Sequence, residues 1–264
     1  MTGLRQIFWL FLLPVAGCMM HPTPELQKVI VKKTAATIQL DGSLNEDSWR
    51  HASCYSFLRP RSMAADRLRQ LGPVLCESAT VRLLFDEEYL YIGFELEDGD
   101  QVARRDRDQA PQWKYGDVVE IFLKHRDHPQ YFEFHITPLG RKTSLLIPAC
   151  GMWELVDYFP QQAMPGFEVA VWNDGTVNNH TDRDRSWTVE ARIPLKELAK
   201  YGSPLQTGAT GWTVLFARHN YGNSIAAREP SSFPQCPGLN FHVPELFLPL
   251  DFHEIKENTG ISPR

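Results

Sequence analysis

The chain is 264 residues long, and 43% of its residues are hydrophobic while 22% are charged. This composition supplies enough apolar material for one large core and excludes a chain that is disordered throughout. A formal net charge of −5, without a basic stretch that could follow a phosphate backbone, argues against a nucleic-acid partner.

The N-terminal segment has the features of an export signal rather than of a fold element. Arg5 precedes an apolar run at 7–15, which is too short for a helix that spans a bilayer. The residues VAGC follow and end at Cys18, and two small residues directly before a cysteine resemble the processing site of bacterial lipoproteins. We therefore predict a signal peptide at 1–17 and a lipid anchor on Cys18 that binds the chain to a membrane. An ordinary signal peptide or a short anchor helix is the alternative.

The residue after the lipidated cysteine indicates the location. Met19 follows Cys18, where Gram-negative lipoproteins retained at the inner membrane carry an aspartate, and this resemblance predicts the outer membrane of a bacterial envelope. Residues 18–33 would form the anchored N-terminus and a tether. One folded domain would occupy 34–252, and 253–264 would be a loose polar tail.

Cys18 is one of five cysteines, and export makes the others candidates for disulfide bonds. Four cysteines allow three pairings, among which the sequence does not choose. They are Cys54, Cys76, Cys150 and Cys236. We expect one or two structural disulfides, with four buried free thiols as the alternative. No Cys-x-x-Cys pair is present, which argues against a zinc or redox site of that type.

Short apolar or alternating runs, separated by turn signals, fill the sequence from residue 34 to residue 252, as is typical of a β-sandwich. They lie at 81–85, 90–96, 118–123, 131–136, 145–147, 167–172, 188–193, 212–219 and 246–252. One short helix is predicted at 194–198, with a proline at its start. The prediction is an all-β, antiparallel β-sandwich of two sheets with one short helix.

Several of these runs carry longer motifs in a defined order. They are IQLDGSLNEDSW at 38–49, VRLLFDEEYLYIGFELED at 81–98, WKYGDVVEIFL at 113–123, YFEFHITPLG at 131–140, SWTVEARIPLKEL at 186–198, GWTVLFARHN at 211–220 and FHVPELFLPLDF at 241–252. This order resembles family 9 carbohydrate-binding modules and their DOMON-like relatives. The resemblance implies a jelly-roll-like sandwich that holds a sugar ring between two aromatic faces without catalysis. It implies no required cofactor, although some members contain structural calcium.

The resemblance also assigns roles to single residues. Trp113 falls where one stacking tryptophan lies, Phe241 on the second aromatic, and Glu120 on an acid that binds sugar hydroxyls. Glu133 stands where the better-known members carry an arginine that contacts the sugar, and one extra residue separates Trp113 from Glu120.

Strand periodicity adds two candidates. On the strand at 131–136, Glu133 and His135 share the face opposite the apolar residues. Together with Glu120 they suit hydroxyl recognition or a cation, although the sequence identifies no metal. A solvated sheet face is the alternative. Arg218 is a further candidate for a sugar hydroxyl.

We predict a non-catalytic glycan-binding protein that supports polysaccharide capture or degradation by envelope enzymes on other chains. A haem-binding electron carrier, with His135 and His219 as candidate ligands, is the first alternative, and a purely structural role is another. A glycoside hydrolase that uses Glu120 and Glu133 is less favoured. The sequence contains no G-x-S-x-G motif, no P-loop and no His-Glu-x-x-His motif.

Overall fold

A computed structural model of the chain describes residues 27–152 and 163–254. The predicted signal peptide at 1–17 and the predicted lipidation site Cys18 therefore lie outside the described residues. In the described ranges, no helix has both the length and the apolar character needed to cross a membrane.

The described chain is mostly β-structure. Its strands are β1 (Val29–Lys33), β2 (Cys54–Ser56), β3 (Ala79–Phe85), β4 (Tyr89–Glu97), β5 (Val118–His125), β6 (Tyr131–Ile136), β7 (Lys142–Ile147), β8 (Glu168–Asp174), β9 (Ser186–Pro194), β10 (Trp212–Asn220), β11 (Glu229–Phe233) and β12 (Leu248–His253). The α-helices are α1 (Asp47–His51), α2 (Ala65–Leu71) and α3 (Leu195–Leu198). Helix α3 is the predicted one, and α1 and α2 are additional.

Strand pairing joins these strands into one nearly closed, 12-stranded sheet in the order β7-β6-β5-β10-β12-β1-β3-β4-β9-β8, with β11 beside β10 and β2 beside β3. The prediction of a β-rich fold is confirmed. The division into two antiparallel sheets is not confirmed, because β1 pairs in parallel with both β12 and β3 and thereby connects the two halves.

Strand β1 corrects a predicted boundary. Its residues were assigned to the tether at 18–33, yet Val29 and Val31 are completely buried in the main core. The alternation of VIVKK places these two valines on the inner side of the strand, while Lys33 forms an ion pair with Glu87. The folded domain therefore begins at β1 rather than at residue 34.

The main hydrophobic core lies between strands β3, β4 and β9 on one side and β5, β6 and β10 on the other. Phe94 on β4 meets Phe216 on β10 edge-on, with ring centroids 5.9 Å apart. Burial of each such side chain contributes roughly 1.5–3 kcal/mol to folding. Packing against this core holds β5, β6 and β10 in place and so positions the side chains on their other face.

That other face is also covered. Phe122, Tyr131 and Leu215 project from it and pack with Phe241 and Phe247, which belong to the segment at 236–247. Strands β5, β6 and β10 are therefore buried on both faces. The alternative of a solvated sheet face for Glu120, Glu133 and His135 is wrong for this reason.

The predicted disulfides are not formed, since all four cysteines within the described ranges are free. Three of them are exposed and Cys236 is buried. The thiols of Cys76 and Cys150 lie against backbone carbonyl oxygens, those of Leu71 and His242, at 3.4 and 3.7 Å.

Candidate functional site

A pocket of about 380 Å³ opens where the segment at 236–247 crosses the outer face of β5, β6 and β10. It is lined by Trp113, Glu120, Glu133, His219, Arg228, Leu239, Asn240, Phe241 and His242. The structure thus brings together Trp113, Glu120, Glu133 and Phe241, which the sequence analysis had selected from distant motifs.

The pairing of strands β5, β6 and β10 determines which side chains form the pocket floor. Glu120 on β5 lies directly opposite His135 on β6 and opposite Ala217 on β10. Residues at alternate positions face the same side, so Glu133 and His219 project from that side as well.

Trp113 forms one wall. It lies in a 3-10 turn, Gln112–Lys114, and its ring meets the His135 ring edge-on with centroids 5.1 Å apart. The following turn requires Gly116, whose φ is +145° and whose added Cβ would lie 2.0 Å from the carbonyl oxygen of Val102. The indole is therefore held in place by a backbone turn that only glycine can form.

The second apolar wall differs from the predicted one. Phe241 borders the pocket, but only 3% of it is exposed because it packs in the outer hydrophobic cluster with Phe122. Leu239, two residues earlier, lines the same pocket and is 45% exposed. Leu239 is consequently the accessible apolar surface of this segment, with Phe241 behind it.

Glu133 and His135 form a buried charged pair. The Nε2 of His135 lies 2.7 Å from the Glu133 Oε1, within hydrogen-bond distance. Burial alone would raise the pKa of Glu133, but the charge and hydrogen bond of His135 outweigh it and lower that pKa. Burial correspondingly acts to lower the pKa of His135, and Glu133 reverses this effect so that the pKa is raised.

Glu120 is the unpaired group of the floor. It is 3% exposed, and its carboxylate accepts no hydrogen bond within the described part of the chain. The nearest imidazole nitrogens are His135 Nε2 at 3.8 Å and His219 Nε2 at 3.7 Å. Burial raises the pKa of Glu120 to about 8 although His135 opposes the shift. Burial, with the charge of Arg228, lowers the pKa of His219 to about 3.

Sequence reasoning missed Arg228 and Leu239. Arg228 lies between β10 and β11, and its guanidinium contacts the hydroxyl of Tyr221 at 3.2 Å. It brings a cationic side chain to the pocket, whereas the resemblance had led us to expect one at the position of Glu133. These two residues, and also Asn240 and His242, which sequence reasoning missed as well, lie in connecting segments, where no periodic pattern predicts the direction of a side chain.

Arg218 is not part of the pocket. It precedes His219 on β10 and therefore faces the interior, where 1% of it is exposed. Its guanidinium donates hydrogen bonds to the Glu97 carbonyl oxygen at 2.7 Å, to Asn220 Oδ1 at 2.8 Å and to Asp98 Oδ2 at 3.2 Å. The predicted role of Arg218 as a hydroxyl partner is corrected to a structural one.

A larger depression of about 820 Å³ lies beside the β3–β4 turn. Its polar side chains are paired with one another: Lys33 with Glu87 at 2.8 Å and the Tyr91 hydroxyl with Asp86 at 2.7 Å. Because those groups already satisfy each other, the pocket with the unpaired Glu120 is the stronger candidate site.

Comparisons with known proteins bear on the fold. No protein-family model matches the sequence, and no curated protein matches it. Among solved structures, a protein of Bacteroides uniformis ATCC 8492 that is assigned as carbohydrate-binding has a TM-score of 0.63 at 16% identity, over 87% of this chain and 100% of that one.

Two further structures come from Caldicellulosiruptor kristjanssonii, and both are family 9 carbohydrate-binding modules. The complex with cellotriose has a TM-score of 0.54 at 16% identity and covers 90% of this chain and 99% of that one. The complex with glucose has a TM-score of 0.52 at 16% identity, with 89% and 100% covered. The predicted resemblance to family 9 carbohydrate-binding modules is thereby confirmed for the fold.

Proposed function

We propose that the chain binds a carbohydrate, without transforming it, in the pocket between Trp113 and Leu239. The observation that carries this proposal is the arrangement of the pocket itself. Accessible apolar walls stand above a buried carboxylate, that of Glu120, which finds no hydrogen-bond donor among the described side chains. A sugar ring offers apolar C–H faces to such walls and hydroxyl groups to such a carboxylate.

The expected affinity is low. Covering about 50 Å² of ring face at about 25 cal/mol per Å² contributes on the order of 1 kcal/mol for each wall. A few hydrogen bonds to Glu120, Asn240 and Arg228 add about 1 kcal/mol each. The sum corresponds to a dissociation constant of roughly 1 mM to tens of micromolar. Many copies on one surface would offset this weakness by avidity.

The structural neighbours support glucose-type sugars as the first ligands to test. The two modules with the same fold were solved with cellotriose and with glucose. At 16% identity this likeness concerns the fold, so the sugar preference of the present chain is a proposal that rests on its own pocket.

We further propose a place for this binding. The VAGC sequence ending at Cys18 supports a lipid anchor at the outer membrane of a bacterial envelope, where the chain would hold a glycan for enzymes on other chains. The two groups of strands on either side of the main core support the description of the fold as a sandwich. From the family resemblance, we also propose a structural calcium ion.

Replacing Trp113 with alanine should weaken glycan binding by about fivefold or more, because it removes a wall worth on the order of 1 kcal/mol and uncovers the floor. Calorimetric titration of the purified protein with cellotriose and glucose, preceded by a glycan array, measures the change. Trp172→Ala is the matched control, since Trp172 is 48% exposed on β8 and does not line the pocket.

Equal affinity of the Trp113→Ala and Trp172→Ala variants would contradict this site. A folded protein that binds no glycan on the array would contradict the function. Hydrolysis of a bound oligosaccharide would contradict the non-catalytic part of the proposal.

A further inference from the structure

The pocket floor carries a second inference that does not depend on sugar binding. We propose that Glu120, Glu133 and His135 bind a divalent transition-metal ion of the zinc class, with His219 as a fourth ligand. The residues come from three neighbouring strands, β5, β6 and β10, which the main core holds rigidly from behind.

The first argument is geometric. One ligand atom from each of Glu120, Glu133 and His135 lies within 4.8 Å of the others. The separations are 2.7 Å between His135 Nε2 and Glu133 Oε1, and 3.8 Å between His135 Nε2 and Glu120 Oε1. His219 Nε2 is 3.7 Å from the same Glu120 oxygen. Tetrahedral bonds of about 2.0–2.1 Å to one ion place two ligand atoms about 3.3 Å apart. Small rotations of Glu120, Glu133 and His135 therefore bring their ligand atoms to coordination distance, while His219 lies next to Glu120 outside this group and would join through a larger rotation.

The second argument is electrostatic. Glu120 and Glu133 are both almost completely buried. Among the described residues, only His135 is within hydrogen-bond distance of either carboxylate, at Glu133. A buried ionised carboxylate is costly unless a cation or a set of donors compensates it. A divalent ion would compensate both carboxylates at once, and it would give Glu120 the partner that the described protein does not provide.

The donor set selects the class of metal. Calcium takes six to eight oxygen ligands, whereas imidazole nitrogen combined with carboxylate oxygen suits zinc and iron. His135 and His219 present Nε2 to the cluster, 3.8 and 3.7 Å from Glu120 Oε1, while their Nδ1 atoms are buried and have no partner in the described chain. Glu120 and Glu133 also line the open pocket, which leaves one side of the ion accessible to water or to a ligand hydroxyl.

The test is direct titration of the metal-free protein with ZnCl₂ by calorimetry, with metal content after dialysis measured by mass spectrometry. We expect one zinc ion per chain and at least a tenfold loss of affinity in His135→Ala and in Glu120→Gln. Glu120→Gln keeps the shape of the side chain, so it remains informative if His135→Ala does not fold. The exposed thiols are common to all variants, so differences among the variants report on the cluster.

Two controls separate this proposal from the others. His180→Ala removes a histidine that pairs with Asp100 away from the pocket, and it should leave zinc affinity unchanged. Titration of the wild-type protein with ZnCl₂ in the absence of any sugar makes the zinc result independent of glycan binding. Absence of stoichiometric zinc in the wild type would overturn the proposal, as would wild-type affinity in folded His135→Ala and Glu120→Gln.

Discussion

Replacing Arg218 with alanine is expected to lower the free energy of unfolding by about 3–5 kcal/mol, because the change leaves Asp98 buried without its charged partner. Arg218 and Asp98 are each 1% exposed. The guanidinium also donates hydrogen bonds to Asn220 and to the carbonyl oxygens of Glu97 and Ser78, so four acceptors lose a donor together. Urea unfolding followed by tryptophan fluorescence measures the loss.

The loss of unfolding free energy in Arg218→Ala should depend on pH. Burial raises the pKa of Asp98 to about 6 although Arg218 opposes the shift, and without Arg218 the pKa should rise further. The neighbouring carboxylate of Glu77 acts in the same direction on the pKa of Asp98. A carboxyl with a raised folded-state pKa gains stability as the pH falls through that value. The deficit of Arg218→Ala should therefore be largest at alkaline pH, shrink as the pH falls from the variant's higher Asp98 pKa to about 6, and stay constant below that pH.

The double variant Arg218→Ala with Asp98→Asn is the control, because it removes the buried charge together with its partner. It should recover part of the lost stability. If Arg218→Ala instead left stability within 1 kcal/mol of the wild type and abolished glycan binding, the structural role given to Arg218 would be wrong.

The strands that carry the pocket floor were predictable because each follows a clear pattern. The predicted run at 131–136 coincides with β6, and the run at 118–123 lies inside β5. These two strands are neighbours in the chain and in the sheet, so Glu120 and Glu133 come together through a local hairpin. Trp113, which lies a few residues before β5, was selected through the family resemblance.

Other features depend on contacts between distant segments, which no local pattern reports. Strand β10 is buried on both faces, so its sequence lacks the alternation that would have shown that Arg218 faces inward. Strand β1 is a short run that pairs with β12 from the opposite end of the chain. Phe241 was correctly placed at the pocket, but its burial depends on Phe122 and Phe247.

Replacing Glu190 with alanine should cost about 3 kcal/mol or more of stability, because three donors lose their acceptor and each buried unsatisfied donor costs about 1–3 kcal/mol. Glu190 lies on β9 and is completely buried. Its Oε1 accepts a hydrogen bond from the Trp49 indole at 2.9 Å, and its Oε2 accepts from the backbone N–H groups of Asp41 and Gly42, both at 2.9 Å. Thermal and urea unfolding measure the loss.

A double-mutant cycle with Trp49→Phe isolates the contact with the indole. The two changes should be less than additive, because Trp49→Phe alone already removes one of the donors. Strict additivity, or a loss below 1 kcal/mol in Glu190→Ala, would contradict the assignment. The same turn requires glycine at position 42, because the φ of Gly42 is +88° and an added Cβ would lie 2.6 Å from the carbonyl carbon of Val171.

This anchoring gives the first family-like motif a physical meaning. The aspartate, glycine and tryptophan of IQLDGSLNEDSW bind the segment at 41–49 to Glu190 through hydrogen bonds. Glu190 lies on β9, near the end of the sheet that is far from β5 and β6 in the strand order. Glu190→Ala should consequently reduce stability while the folded fraction keeps the wild-type affinity for cellotriose and for zinc. A loss of either affinity at full folding would show that the motif acts on the pocket as well as on the fold.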